Sequence, residues 1–172
     1  MHSGLSTFAR FGYVPTMPMT GMATDELLPP VRPLSELRYR AVMDPATVGI
    51  VAVLNVLAYG MPPEWGPDWA ARTDVSQIEA FGFIGYLGNQ PVTCAVTIPL
   101  EGRLYVALVA TDAAHRGRGY AEAVMRHSLG VAAKRTGLAR TILHASDMGY
   151  PIYARMGYHD TARFALYGLK PQ

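Results

Sequence analysis

The sequence predicts an α/β fold with a mixed, mostly antiparallel central sheet and flanking helices. Three strand-like segments follow one another closely within residues 81–111, and a long amphipathic segment separates them from two further strands. A strand and a helix within residues 38–59 precede them. Strands joined by two or three residues pair as antiparallel hairpins, whereas a helix between two strands permits parallel pairing. Together these segments predict one mixed sheet.

The composition favours one compact domain. The chain has 172 residues, half of them hydrophobic, which is enough for one sizeable core. Its 15 basic and 13 acidic residues give a formal charge of +2, too balanced for a duplex-binding surface. The longest apolar stretch, residues 48–61, contains Asn55 and is shorter than the roughly 20 residues of a spanning helix. The single Cys94 cannot form a disulfide framework, so we expect an inert buried thiol in a cytoplasmic protein.

The first 37 residues differ in composition from the rest of the chain. They are rich in Met, Pro and Gly, and the prolines of LLPPVRPLSEL at 27–37 exclude a helix interior or a central strand there. We therefore expect residues 1–37 to form an N-terminal extension and linker. A single domain is expected over residues 38–172.

The elements of this domain follow from their periodicity and end signals. RYRAVM at 38–43 alternates like a strand, and Asp44-Pro45 supplies an N-cap and a proline at the first helical position. A helix is therefore expected from there to about residue 59. The later elements are strands at 81–87, 91–100, 103–111, 141–146 and 158–169, a helix between Gly119 and Gly137, and short helices near 68–78 and 150–156.

The segment VALVATDAAHRGRGYAEAVMRHSLG, residues 106–130, carries the strongest chemical signal. An apolar strand runs into a glycine-rich, arginine-bearing loop that opens directly into a long helix. Backbone N–H groups at a helix N-terminus bind anions, Gly117 and Gly119 permit close approach, and Arg116 and Arg118 add positive charge. We therefore expect a small phosphate-bearing ligand. Neither GK[ST] nor GxGxxG is present, which excludes a Walker A loop and a dinucleotide fingerprint.

Residues 116–121 resemble the pyrophosphate loop of the GCN5-related N-acetyltransferases. That loop reads Gln or Arg, two variable residues, Gly, one variable residue, and Gly or Ala; this chain has RGRGYA. The resemblance extends over about residues 38–169 and implies acetyl-CoA as co-substrate, with no metal. It implies that the pantetheine arm contacts the backbone of Val109, Ala110 and Thr111. The implied cofactor-binding loop comprises Arg116, Gly117, Arg118, Gly119, Tyr120, Ala121 and Glu122.

A second motif, LHASDMGYPIYARMGY at 143–158, resembles the strand, short helix and Tyr-x-x-x-Gly-aromatic sequence of the same family. By this resemblance Tyr153 is the general acid that protonates the departing CoA thiolate. The reaction needs such a group, because attack of an amine on a thioester expels a thiolate that a phenol can protonate. A purely packing role for Tyr153 is the alternative. Ser146 and Asp147 are weaker candidates for cofactor contacts, with capping of the short helix as the alternative.

The sequence does not identify the general base that would deprotonate the attacking amine. Many members of the family use a glutamate on the central strands, and YVALVA contains no acidic residue. Candidates elsewhere are Asp112, Tyr59, Glu64, Asp68 and His144. The histidine could titrate near neutrality, but a lone histidine in an apolar strand is usually a hydrogen-bonded core residue. A water chain, or an acceptor amine of low pKa, would make a protein base unnecessary.

FARFGY at 8–13 and YARMGY at 153–158 raise the question of an internal repeat. Four of the six letters agree, which chance can produce in a chain of this length. Phe8 stands where the second copy has a tyrosine, so the first copy cannot supply a phenolic acid. Some acetyltransferases of the resembled family have two lobes. Residues 1–27 are therefore a candidate remnant of a preceding lobe, with coincidence as the alternative.

These inferences predict an N-acetyltransferase that transfers the acetyl group of acetyl-CoA to a primary amine by direct attack. The alternative is a non-catalytic acyl-CoA-binding sensor or partner domain, which the missing base favours and Tyr153 opposes. We expect a small-molecule or peptide amine as acceptor, no nucleic-acid or membrane partner, and a homodimer as a candidate assembly.

Overall fold

The computed structural model describes residues 3–73 and 78–169. Its helices are α1 (Ser3–Arg10), α2 (Pro45–Ala58), α3 (Trp65–Ala71), α4 (Tyr120–Thr136) and α5 (Tyr150–Arg155). Its strands are β1 (Tyr13–Thr24), β2 (Arg38–Ala41), β3 (Phe81–Leu87), β4 (Gln90–Leu100), β5 (Arg103–Thr111), β6 (Thr141–Ala145) and β7 (His159–Leu169). Among the helices of these two ranges, none has the length and apolar character needed to cross a membrane.

The seven strands form one sheet in the order β2-β3-β4-β5-β6-β1-β7. The pair β5–β6 is parallel, and the other neighbouring pairs are antiparallel. The parallel pair is connected through α4, because only a long crossover can return the chain to the same end of the sheet. The predicted α/β fold with a mixed, mostly antiparallel sheet is therefore confirmed.

The predicted element bounds agree closely with the structure from β2 onward, except at α3. That helix begins at Trp65 and ends at Ala71, so the short helix expected near 68–78 begins and ends too late. Residues 74–77 of that expected helix lie outside the described residues. Asp44 begins α2 as predicted: its Oδ1 accepts a hydrogen bond of 2.7 Å from the Thr47 N–H, which satisfies a backbone donor of the first turn.

Two apolar clusters lie on opposite faces of the sheet. On one face, α4 packs Val124 and Leu129 against the strands. On the other face, α2 packs Val51 and Leu54 against β3 and β4, and Cys94 belongs to this second cluster. The thiol is fully buried, and burial raises its pKa to about 12, so it stays protonated at neutral pH, as expected for an inert cysteine.

β1 lies inside the sheet, although its residues fall in the part of the chain expected to be an extension and linker. Residues 20–24 of β1 pair with β6, and nearly the whole strand pairs with β7. The extension expected over residues 1–37 is therefore corrected for this strand; residues 25–37 lack helix and strand, as expected of a linker. Pro15 and Pro18 are tolerated because they lie in the part of β1 that pairs with β7 alone, where one side of the strand needs no N–H donor.

The two copies of the near-repeat adopt the same local structure. In each, the hexapeptide covers a helix C-terminus, a glycine with positive φ (Gly12 at 75°, Gly157 at 99°) and the approach to a strand. The two strands that follow, β1 and β7, then pair antiparallel with each other. The strands of the two units therefore run in opposite directions side by side, while their origin from a preceding lobe stays a prediction.

Candidate active site

β5 and β6 separate from each other and form a fork. Their parallel pairing covers Leu104–Val106 and Thr141–Leu143 only, although β5 continues to Thr111. Residues 107–111 of β5 are therefore unpaired on the side of β6. A row of unpaired backbone N–H and C=O groups can bind an extended ligand as an added strand would.

A β-bulge in β5 shapes this fork. Leu108 has a positive φ of 53°, and the register between β4 and β5 shifts at this point. Its carbonyl oxygen accepts hydrogen bonds from Asn55 Nδ2 (3.4 Å) and from the Cys94 thiol (3.3 Å). Val106 packs into the α4 cluster and Ala110 into the α2 cluster, so the bulge reverses which face of the sheet the even-numbered residues cover.

A cleft of about 610 Å³ opens at the fork. Its walls come from β5 and the loop after it, the start of α4, the end of β6, α5, the end of α2 and the linker. The cleft brings together all of the predicted site residues except Arg118. These are Tyr153, Val109, Ala110, Thr111, Arg116, Gly117, Gly119, Tyr120, Ala121 and Glu122.

One end of the cleft is suited to bind an anion. Gly119, at a φ of 81°, stands before α4, and no side chain of the described residues caps the N-terminus of that helix, so its first N–H groups remain available. Arg116 reaches across the cleft, where Nε donates to the Thr111 carbonyl (3.3 Å) and Nη2 to the Ala58 carbonyl (3.2 Å). Its guanidinium is thereby held beside the loop.

Two predicted loop residues have contacts that differ from the expectation. Arg118 does not line the cleft; instead its carbonyl accepts a hydrogen bond of 2.6 Å from the Ser35 hydroxyl. The contact of its side chain with a phosphate therefore stays a prediction. Glu122 lines the cleft, but its carboxylate is held by Arg126 at 2.9 Å.

Arg32 is a cleft residue that the sequence did not reveal. Nη2 of Arg32 donates to the Gly117 carbonyl at 3.3 Å, and a Cβ at Gly119 would lie 3.2 Å from the same nitrogen. Arg32 therefore adds a second guanidinium at the loop. The contact joins positions 85 residues apart, and a single arginine in a proline-rich linker offers no local pattern that would predict it.

Tyr153 lies at the wall formed by α5. Its residue is only 7% exposed, and burial raises the pKa of the phenol well above its ordinary value, with the nearby phenols of Tyr59 and Tyr158 adding to the rise. The phenol is therefore protonated at neutral pH and can donate a proton. Within residues 3–73 and 78–169 no hydrogen-bond partner is found for its hydroxyl, which leaves that group available to a ligand.

His144 is not the core residue expected from its apolar strand. Leu143 and Ala145 are buried, whereas His144 is exposed and lines the cleft, because alternate residues of a strand face opposite sides of the sheet. Its Nδ1 lies 3.2 Å from the Tyr105 hydroxyl. Ser146 also lines the cleft, while Asp147 lines a smaller hollow beside it.

The other candidate bases differ in their positions. Asp112 is bound to His115 at 3.0 Å, and this hydrogen bond holds the pKa of the carboxyl below its usual value. Glu64 and Asp68 do not line the cleft. Tyr59 does, but burial raises the pKa of its phenol, so it is protonated at neutral pH.

Part of the chain that contains this site matches a known protein family. Residues 75–160, half of the chain, match the family model of the acetyltransferase (GNAT) domain. The chain belongs to the GNAT family. The match includes the fork, the loop and Tyr153, while β1 and the linker lie outside it. No curated protein matches this GNAT chain.

Solved structures share the fold of this GNAT protein at low sequence identity. A GCN5-related N-acetyltransferase from Kribbella flavida is 18% identical with a TM-score of 0.68, over 99% of this chain and 65% of its own. One from Sphaerobacter thermophilus is 22% identical with a TM-score of 0.68, over 97% of this chain and 56% of its own. A predicted acetyltransferase from Clostridium acetobutylicum, solved with acetyl-CoA, is 18% identical with a TM-score of 0.57, over 73% of this chain and 92% of its own. The chain spans less than two thirds of the first two relatives.

Proposed function

We propose that this GNAT protein is an acetyl-CoA-dependent N-acetyltransferase that passes the acetyl group directly to an amine. The observation that carries the proposal is the shared cleft. A buried, protonated phenol, an unpaired strand edge and a cationic loop at a helix N-terminus line the same space. Each of these features serves a different part of one thioester substrate.

The cleft fits the chemistry of acetyl-CoA. Arg116, Arg32 and the N–H groups at the start of α4 offer charge-assisted and backbone donors to a diphosphate. The backbone of Val109–Thr111 offers donors and acceptors to the amide groups of the pantetheine arm. A volume of about 610 Å³ is typical of a site for a small molecule.

Tyr153 would act on the leaving group. When the amine attacks the thioester carbonyl, the C–N bond forms, and the C–S bond breaks as the tetrahedral adduct collapses. The thiolate that leaves takes the phenolic proton of Tyr153. The phenol carries its proton at neutral pH, as this role requires, because burial disfavours its charged form.

Thiol release tests the proposal. The chain is incubated with acetyl-CoA and a panel of polyamines, amino acids, aminoglycosides and peptide N-termini, and the free thiol is followed over time. Tyr153→Phe is expected to lower the rate about 10²–10⁴-fold while leaving the affinity for CoA unchanged. Tyr150→Phe is a matched control, because that phenol donates to Asp160 at 2.9 Å and does not line the cleft.

Two outcomes would contradict the proposal. If the chain binds acetyl-CoA but releases no thiol with any amine, it is a sensor or partner domain and not an enzyme. If thiol is released and Tyr153→Phe retains the full rate, the acetyltransferase survives but the phenol is not its acid.

A further inference from the structure

The tip of the fork, the point at which β5 and β6 separate, carries a histidine on the wall of the cleft. We propose that His144, oriented by Tyr105, accepts the proton that the incoming ammonium group must lose. The inference rests on the proposed acetyltransferase function, and it names the base that the sequence left open.

The position of His144 follows from the strand register. Leu143 opposite Val106 is the last pair between β6 and β5, so His144 is the first residue of β6 beyond the paired region. The backbone of β5 that we assign to the pantetheine arm begins at the same point. A group at the tip therefore lies next to the end of the arm that carries the thioester, and not next to the diphosphate end.

The imidazole is held in one orientation by two aromatic rings. The ring of Tyr105 lies 5.4 Å from it, with the hydroxyl 3.2 Å from Nδ1. The ring of Phe164 packs edge-on at 4.8 Å. When Nδ1–H donates to the phenol oxygen, the lone pair of Nε2 is left to accept a proton. The exposure of the residue keeps Nε2 within reach of a ligand in the cleft.

The neighbouring titratable groups are poor alternatives. The phenols of Tyr105 and Tyr59 have their pKa raised by burial and stay protonated at neutral pH. The one carboxylate of the described cleft residues, Glu122, is held by Arg126 at the start of α4. Asp147 lines only the hollow beside the cleft.

The remaining ionisable residues of the cleft are also poor candidates for the base. They are Arg32, Arg116, Arg155, His115, Tyr120 and Tyr153. The arginines are always protonated at physiological pH and cannot accept a proton. His115 is engaged with Asp112 at 3.0 Å. Among the imidazole and carboxylate groups of the described cleft residues, His144 is therefore the one without an ion-pair partner.

The proton balance requires two acceptors. In going from ammonium to amide, the amine nitrogen loses two protons. Nε2 of His144 takes one and returns it to solvent. The other leaves the nitrogen as the adduct collapses and returns to the phenolate that Tyr153 becomes when it protonates the thiolate. The products are therefore the amide, free CoA and one proton in solution.

Two amines of similar size and different basicity test the inference. Ethylamine is almost entirely ammonium at neutral pH, whereas trifluoroethylamine is largely unprotonated. With ethylamine, His144→Gln is expected to lower kcat/KM about 10²–10⁴-fold; with trifluoroethylamine, the loss is expected to be at most about tenfold. Tyr105→Phe is also expected to lower kcat/KM with the two amines, but by smaller factors than His144→Gln. His159→Gln, an exposed histidine outside the cleft, serves as the control.

The outcomes separate this inference from the proposed function. Equal losses with the two amines would overturn the role of His144 as base, as would an unchanged rate with ethylamine. Wild-type protein that releases no thiol with either amine or with the wider panel would overturn the acetyltransferase proposal, and this inference with it. A thermal midpoint and a CoA affinity equal to those of wild type are expected for His144→Gln, because the residue is exposed and lies away from the cationic loop.

Discussion

The phenol of Tyr153 depends on a glycine one helical turn before it. A Cβ at Gly149 would lie 2.9 Å from Cε2 of that ring and 3.3 Å from its hydroxyl. Gly149 has an ordinary φ of −81°, so an alanine could adopt the backbone conformation. The glycine is therefore needed for the space it leaves, because the buried ring has little room to move.

Gly149→Ala is expected to lower kcat by displacing the phenol while leaving CoA affinity nearly unchanged. A displacement of the acid by about 1 Å can cost about 100-fold in rate. Gly130→Ala is the matched control, since nothing lies within 4 Å of its Cβ and the substitution in a helix interior should stabilise by about 0.5–1 kcal/mol. Equal rates for the two variants would show that the ring position tolerates the methyl group.

Arg32 and Arg116 are expected to contribute to binding of the diphosphate and not to the chemical step. Both guanidinium groups lie at the loop and not at the fork tip. We expect Arg32→Ala and Arg116→Ala each to weaken acetyl-CoA binding about tenfold, as the loss of one charge-assisted hydrogen bond would. Binding of acetyl-pantetheine, which has no phosphate, should not change. Arg40→Ala, which removes an ion pair with Asp44 outside the cleft, is the control. A loss with both ligands would assign these arginines a structural role.

At the scale of elements, α2 supports the bulge of β5 through a single polar side chain. Asn55 is buried in the apolar face of the helix, and its Nδ2 donates to the carbonyls of Val51 and Leu108. The sequence showed Asn55 only as an interruption of an apolar run. Its partner on β5 is 53 residues away, so no local period could predict the contact.

Asn55→Ala is expected to lower the free energy of unfolding by about 1–3 kcal/mol, because the Leu108 carbonyl loses one of its donors in a partly buried site. It should also weaken acetyl-CoA binding by loosening the bulge next to Val109. Leu57→Ala on the same helix, where the side chain is half exposed, is the comparison and should cost less on both measurements. Denaturant unfolding and calorimetric CoA titration read out the two effects. Unchanged CoA affinity in a destabilised Asn55→Ala variant would limit the residue to a stabilising role.

At the scale of the whole molecule, β1 makes the N-terminal segment part of the same core as the cleft. Met22 is 1% exposed and belongs to the cluster that also contains Tyr153 and Leu143. The linker that follows is held by Arg126, whose Nη2 donates to the Leu28 carbonyl at 2.7 Å, and it then contributes Arg32 to the cleft. The segment before residue 38 therefore supplies a strand, core packing and a candidate ligand contact.

Met22→Ala is expected to lower the free energy of unfolding by about 2–5 kcal/mol, because it leaves a cavity in this core. Met43→Ala is the matched control, since that side chain is 79% exposed and its loss should change stability by less than about 0.5 kcal/mol. Similar unfolding midpoints for the two variants would show that β1 is not integrated into the core in solution.

The sequence by itself determined the elements from residue 38 onward, the cationic loop before α4 and the phenol of Tyr153. These depend on local period, end signals and short motifs, which act over a few residues. The tertiary structure decided the position of β1, the tip of the fork with His144, and the approach of Arg32 and Asn55 to the site. Each of these depends on hydrogen bonds or packing between segments far apart in the chain, such as residues 20–24 of β1 with β6. The free energy of such contacts exists only once the sheet has formed, so it leaves no periodic signature in either segment alone.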